Sequence, residues 1–173
     1  MTTIARERAV EAVRDGRARI IAALGEVSDD ELERRGTIGG GDWSGKDLIG
    51  HLSCWEEPAL EAVDARRAGR TPWVAATPKD ADAINADAIA ERADWPLERI
   101  RETAEDAHRR LCAAIEGMSD GEWTAEVNAG GGRSEPLSTF LGGVLGAPRR
   151  PFGHALAHLD DAEAFARRVG GTR

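Results

Sequence analysis

Apolar residues recur every three or four positions along most of the chain, and no segment alternates apolar and polar residues strictly. Val10, Val13, Ile20, Leu24 and Val27 share one side of a first helix whose other positions are charged. That helix runs out at "GEVSDDELERRG" (25–36), and the glycine-rich "GTIGGGD" (36–42) reads as a loop. Ser44 and Asp47 stand at the spacing of a capping box, which starts a second helix through "WSGKDLIGHLSCWEEPALEAVDARRAG" (43–69). Two prolines make "GRTPWVAATP" (69–78) a connection, and "KDADAINADAIAERAD" (79–94) follows as a short helical run. The longest stripe is Leu97, Ile100, Ala104, Ala107, Leu111, Ala114 and Met118, the pattern of a helix packed lengthwise in a bundle. "SDGEW" (119–123) and "NAGGGR" (128–133) read as a loop over the mouth of the bundle, and "PLSTFLGGVLG" (136–146) as a glycine-diluted helix. Past Pro148 and Pro151 a last helix runs from about Phe152 to Val169.

Four long helices with short extras predict an all-α helix bundle. The 173 residues are enough for a substantial core and are read as one domain, 1–173. The net charge is −8, with acidic and basic residues interleaved, so there is no basic stripe for a phosphate backbone and a nucleic-acid partner is not expected. No apolar run approaches the roughly 20 residues that span a bilayer, so the expectation is a cytoplasmic protein without a membrane partner. Cys54 and Cys112 form neither a disulfide framework nor a CxxC site, and read as buried thiols in a reducing compartment. "NAGGGRS" follows no strand and lacks a GK[ST], so it is not a phosphate cradle.

The candidate chemistry lies in histidines that take apolar positions. On the second helix His51 shares a face with Leu48, Leu52 and Trp55. On the last, His158 falls in line with Ala155, Ala162 and Phe165, and His154 stands one turn before it. Three imidazoles pointing into one bundle make the ligand set of a catalytic metal site with an open position, and bundle interiors are where such sites are built. HExxH is absent, because Ala155 follows His154. His108 lies one position off its stripe, at a boundary or on the surface. Cys54, one turn past His51, is a possible soft fourth ligand by type alone.

"WSGKDLIGHLSCWEE" followed about a hundred residues later by "FGHALAHLDDAEAFA" resembles the DinB-like superfamily. That superfamily includes damage-inducible bundle proteins, mycothiol-dependent enzymes and colibactin-self-resistance (ClbS-like) proteins. "AINADAIAERADWPLERIRE" is also similar to the middle of the self-resistance branch. The resemblance implies an up-down-down-up four-helix bundle with a divalent metal on one histidine of the second helix and two of the last, here His51, His154 and His158. The sequence departs from many self-resistance relatives in lacking an asparagine and aromatic residues around its terminal histidines.

Two enzyme readings follow from that resemblance. In one, a metal, zinc foremost with nickel or iron also suited, activates a thiol of the mycothiol kind or a water against an electrophilic small molecule. In the other, water opens a strained ring of a toxic natural product. Asp47 and Asp161 are the nearest carboxylates to orient the imidazoles, and Glu56 and Glu57 are candidate general bases. Trp43, Trp55, Trp73, Trp95 and Trp123 are candidate flat walls for a ligand. A non-catalytic bundle that binds a small molecule or metal, or pairs as a homodimer, is the third reading.

Overall fold

The computed structural model describes residues 4–38, 43–77, 80–147 and 150–170; most of the expected glycine loop, 39–42, together with Lys79 and Pro148, lies outside them. Four helices carry the architecture: α1 (Arg6–Leu24), α3 (Gly45–Arg67), α6 (Leu97–Glu116) and α10 (Leu159–Gly170). Between them stand α2 (Asp29–Glu33), α4 (Trp73–Ala76), α5 (Ala81–Arg92), α7 (Asp120–Trp123), α8 (Leu137–Val144) and α9 (His154–Ala157), with a two-stranded hairpin of β1 (Glu126–Asn128) and β2 (Ser134–Pro136).

Contacts fix the direction of each helix. Lys46 at the start of α3 donates to the carbonyls of Ala93 and Trp95 just before α6, and Arg67 at the end of α3 pairs with Glu122 just after α6. The two helices are therefore parallel, and 68–96 is the long crossover between them. Arg6 bonds the carbonyl of Met118, so α1 runs against α6, while Gly16 lies against Ala155 and Leu156, and Ile20 shares a core cluster with Phe165, so α1 runs with α10. The order is up-down-down-up.

The start of α3 is as the sequence predicts. Ser44 Oγ accepts from the Asp47 N–H, and the Asp47 carboxylate accepts from the Ser44 N–H at 2.9 Å, satisfying two otherwise orphaned donors. On α6 the inward stripe continues through Cys112 and Ile115, with Ala114 at its edge. "SDGEW" is a capped turn, α7, with reciprocal Ser119 and Glu122 bonds.

Two expectations change. "NAGGGR" is the turn of a hairpin: Gly130, Gly131 and Gly132 all have positive φ, and a Cβ on Gly130 would fall 2.3 Å from the Ala75 carbonyl of α4. A strand pair this short leaves no alternation to read. The last helix does not begin at Phe152, which has φ 57° and is buried against Trp123. It is also interrupted at His158, whose N–H bonds Ala155 O, a bond of the tighter 3₁₀ kind.

The apolar core falls into two clusters. One holds Val10, Val13, Ala59, Ala62, Leu111 and Ile115; the other holds Ile20, Leu24, Leu48, Leu52, Ile100 and Phe165. Between those sets each helical strand of the bundle contributes polar residues: Arg17 on α1, His51 and Glu56 on α3, His108 on α6, and His154 and His158 at α9 and the start of α10. A polar layer thus crosses the middle of the bundle.

Candidate metal centre

His51 sits in the second turn of α3, 2% exposed. His154 opens α9, its N–H held by the Leu145 carbonyl at 3.0 Å, and His158 follows at the break before α10. Close packing of α9 on α1 is possible because residue 16 is glycine, since a Cβ there would lie 3.1 Å from the Ala155 Cβ.

The three Nε2 atoms converge. His51 and His154 are 2.9 Å apart, His51 and His158 3.2 Å, and His154 and His158 3.3 Å. An ion about 2.0–2.1 Å from two imidazole nitrogens holds them about 2.9 Å apart at a right angle and about 3.3 Å apart at a tetrahedral angle. The triangle therefore has the size of one coordination face, and no other group of three such residues with metal-binding spacing stands among the described residues.

Electrostatics keeps the set in its ligating form. Burial, followed by the neighbouring histidines, pushes His51 down to about 2, and burial and His158 push His154 to about 3. Burial also lowers His158, against the opposing pull of the Asp161 charge. Neutral imidazoles with free Nε2 lone pairs are what a metal requires.

The structure separates the other candidates. The Asp47 carboxylate is occupied by the Ser44 cap and not by His51. Asp161 acts on His158 through its charge, with no hydrogen bond between them among the described residues. Cys54 lies on the far side of the His51 ring, its sulfur 3.4 Å from Nδ1, and donates to the His51 carbonyl; it is not placed to share the Nε2 point. Glu56 accepts from His108 Nδ1 at 2.8 Å and faces Arg17 at 3.8 Å, while Glu57 pairs with Arg92 at 2.7 Å. Of the tryptophans, Trp43 packs on His51 (ring centres 4.7 Å apart) and Trp55 lies 6.3 Å from His154, its indole N–H donating to Asn85. Trp73 is exposed, Trp95 is held by Arg92 and Arg99, and Trp123 stacks on Phe152. A small apolar cavity lined by Gly50, His51, Cys54, Ile89, Arg92 and Ile100 adjoins the centre.

Comparison with known proteins joins this geometry to a family. The sequence model of the DinB superfamily matches residues 12–146, a span that includes His51 and stops short of His154. The chain belongs to the DinB superfamily. No curated protein sequence matches it. Among solved structures, a mycothiol-dependent maleylpyruvate isomerase is similar over 94% of this chain at 21% identity and TM-score 0.70, and this DinB-superfamily chain spans 63% of that protein's length. An uncharacterised protein from Clostridium difficile 630 is similar over 98% of this chain and 99% of its own (12% identity, TM-score 0.73). The colibactin self-resistance protein ClbS, in complex with a double-stranded DNA, is similar over 95% of this chain and 94% of its own (14% identity, TM-score 0.66). The TM-scores show a shared fold, and at these identities the likeness shows the fold alone. The DNA complex bears on the expectation of no nucleic-acid partner, and it is a fact about ClbS. No described helix of this chain is long and apolar enough to cross a membrane.

Proposed function

We propose that the chain is a metal-dependent enzyme that joins a low-molecular-weight thiol, of the mycothiol kind, to an electrophilic small molecule. The observation that carries this reading is the neutral Nε2 triangle of His51, His154 and His158, with edges of 2.9–3.3 Å. These three residues would hold a divalent ion, zinc foremost, which when bound supplies Lewis acidity and favours the deprotonated form of a thiol or water. Trp43 and Trp55 flank the triangle and offer apolar walls to a ligand bound beside it. Glu56 is committed to His108 and Arg17, which leaves Glu57, paired with Arg92 beside the small cavity, as the proposed proton acceptor. The likeness to a mycothiol-dependent isomerase over most of this chain supports the choice of thiol.

A second reading, hydrolysis of a strained ring with water as nucleophile, has its own support. The likeness to ClbS covers nearly the whole of both chains, whereas the isomerase extends well beyond this one.

The deciding experiment is elemental analysis of the purified protein beside His51→Ala and His158→Ala, followed by turnover of electrophiles with and without added thiol. Near-stoichiometric metal that both variants lose, with substrate loss that requires thiol, supports the transferase. Metal with thiol-independent loss supports the hydrolase. Trace metal in all three proteins after reconstitution with zinc, nickel or iron overturns the metal-dependent reading and favours a metal-free hydrolase or a binding bundle.

A further inference from the structure

The polar layer holds a second cluster that the three-histidine centre does not use. On α6, His108 and Cys112 stand one turn apart, with the Cys112 sulfur 3.7 Å from Nε2 of His108. Across the bundle, Oε1 of Glu56 lies 2.8 Å from Nδ1 of the same ring. With Nδ1–H donated to Glu56, Nε2 is the nitrogen left to face the thiol. A nucleophile, a base and a carboxylate that orients the base are thereby brought into line. No hydrogen bond or ion pair joins this cluster to the three-histidine centre among the described residues.

We propose that Cys112, His108 and Glu56 form a reactive-thiol site that takes soft carbon electrophiles of the α,β-unsaturated carbonyl class. In the reaction, Cys112 gives up its thiol proton to solvent and the sulfur pair forms a bond to the β-carbon. The π pair of the carbon–carbon double bond moves into the conjugated carbonyl, the α-carbon takes a proton from Nε2–H of the charged His108 ring, and solvent returns a proton to that nitrogen. The product is a thioether, with no leaving group and no oxidant or reductant.

Three further observations favour chemistry over packing. His108 is pushed up to about 9: burial opposes its charge, but the hydrogen bonds with Cys112 and Glu56 and the Glu56 charge outweigh burial, so the ring can hold a proton beside the sulfur. The Arg14 guanidinium also faces the Cys112 thiol. The network is also incomplete as a structural device, since Glu56 Oε2 and the Arg17 Nε and Nη1 are buried without a hydrogen-bond partner. A buried network retained for packing alone is expected to be satisfied.

Access is proposed to run past Arg14. Cys112 is 3% exposed, and the Arg14 guanidinium that faces it is held by a two-pronged pair with Glu116 (2.7 and 2.9 Å), both residues lining an open groove that does not itself reach Cys112. Exposed ion pairs of this kind hold weakly, so the cover can open without unfolding the bundle.

The test is brief labelling of the native protein with N-ethylmaleimide, followed by tryptic mass spectrometry, which reads Cys112 and Cys54 on separate peptides. The expected result is modification of Cys112 about tenfold or more faster than Cys54, with the advantage lost in His108→Gln while the Cys54 rate is unchanged. Arg14→Ala, which removes the cover, is expected to speed Cys112 only when His108 is present. Equal rates at the two thiols overturn the proposal. So does an Arg14→Ala effect that is as large in the His108→Gln background, because access alone would then set the rate.

Discussion

The Cys54 sulfur is 3.0 Å from the carbonyl oxygen of His51 and 3.4 Å from its Nδ1, so the thiol donates to the carbonyl and presents its lone pairs to Nδ1–H. Burial pushes this thiol up to about 12, with Arg92 opposing and Glu57 adding, so the sulfur stays protonated and keeps that role. The result fixes the tautomer in which the His51 Nε2 is free, the part an outer partner plays for a metal-binding histidine. Cys54→Ala is therefore expected to weaken zinc binding about 10–100-fold, measured by competition with a chromogenic chelator, and Cys54→Ser to recover part of the loss. Asp47→Ala is expected to cost about 0.5–2 kcal/mol of stability through the lost cap while leaving zinc affinity unchanged. A fall in affinity with Asp47→Ala would return that carboxylate to the metal site. The three candidate ligands were legible in the sequence because His51 and His158 take apolar positions at helical spacing and His154 stands one turn before His158. The pairing of Glu56 with His108 and Arg17 was not, because a charged residue among charged neighbours reads as solvated face until the facing helix is known.

At the scale of elements, the placement of His154 and His158 depends on backbone irregularities that hydrophobic spacing does not encode. Phe152, at φ 57°, adopts a conformation that costs on the order of 1–3 kcal/mol in a non-glycine residue, and burial of its ring against Trp123 offsets that cost. The chain then enters α9 at His154 instead of two residues earlier, and the 3₁₀-type bond at His158 separates α9 from α10. The sequence pattern reads one continuous helix here because the apolar positions stay in phase across the break. Gly16 is the other half of the arrangement, since it admits α9 to within van der Waals contact of α1. Gly16→Leu is expected to lower stability by about 1–3 kcal/mol through overpacking and to weaken zinc binding as well, as His154 and His158 are displaced. Gly143→Ala, where nothing lies within 4 Å of the added carbon, is the control and is expected to lower neither. Thermal melts and zinc titrations on the two variants read both effects.

Across the whole molecule, the layer between the two apolar clusters contains imidazoles shifted in opposite directions, and this sets the pH dependence of the metal-free protein. His51, His154 and His158 are all lowered from an ordinary value of 6.5, so below that pH the unfolded chain binds protons that the folded triad refuses. Stability must then fall as the solution is acidified through about 6.5. His108 is raised to about 9, so its contribution is complete below 6.5, where both states are protonated, and is lost as pH rises from there toward 9. The expected curve of urea midpoint against pH has its maximum near neutrality, with a limb on each side owed to a different cluster. Cys54 adds to the alkaline limb near and above its ordinary value of 9.0, where its thiol ionises in the unfolded chain and stays protonated in the fold. In His108→Gln the alkaline limb should flatten between about 6.5 and 9 while the acid limb remains. An alkaline slope unchanged in that variant would mean that the Glu56–His108 pair does not hold its proton in the fold, and that the two halves of the polar layer are not electrostatically distinct.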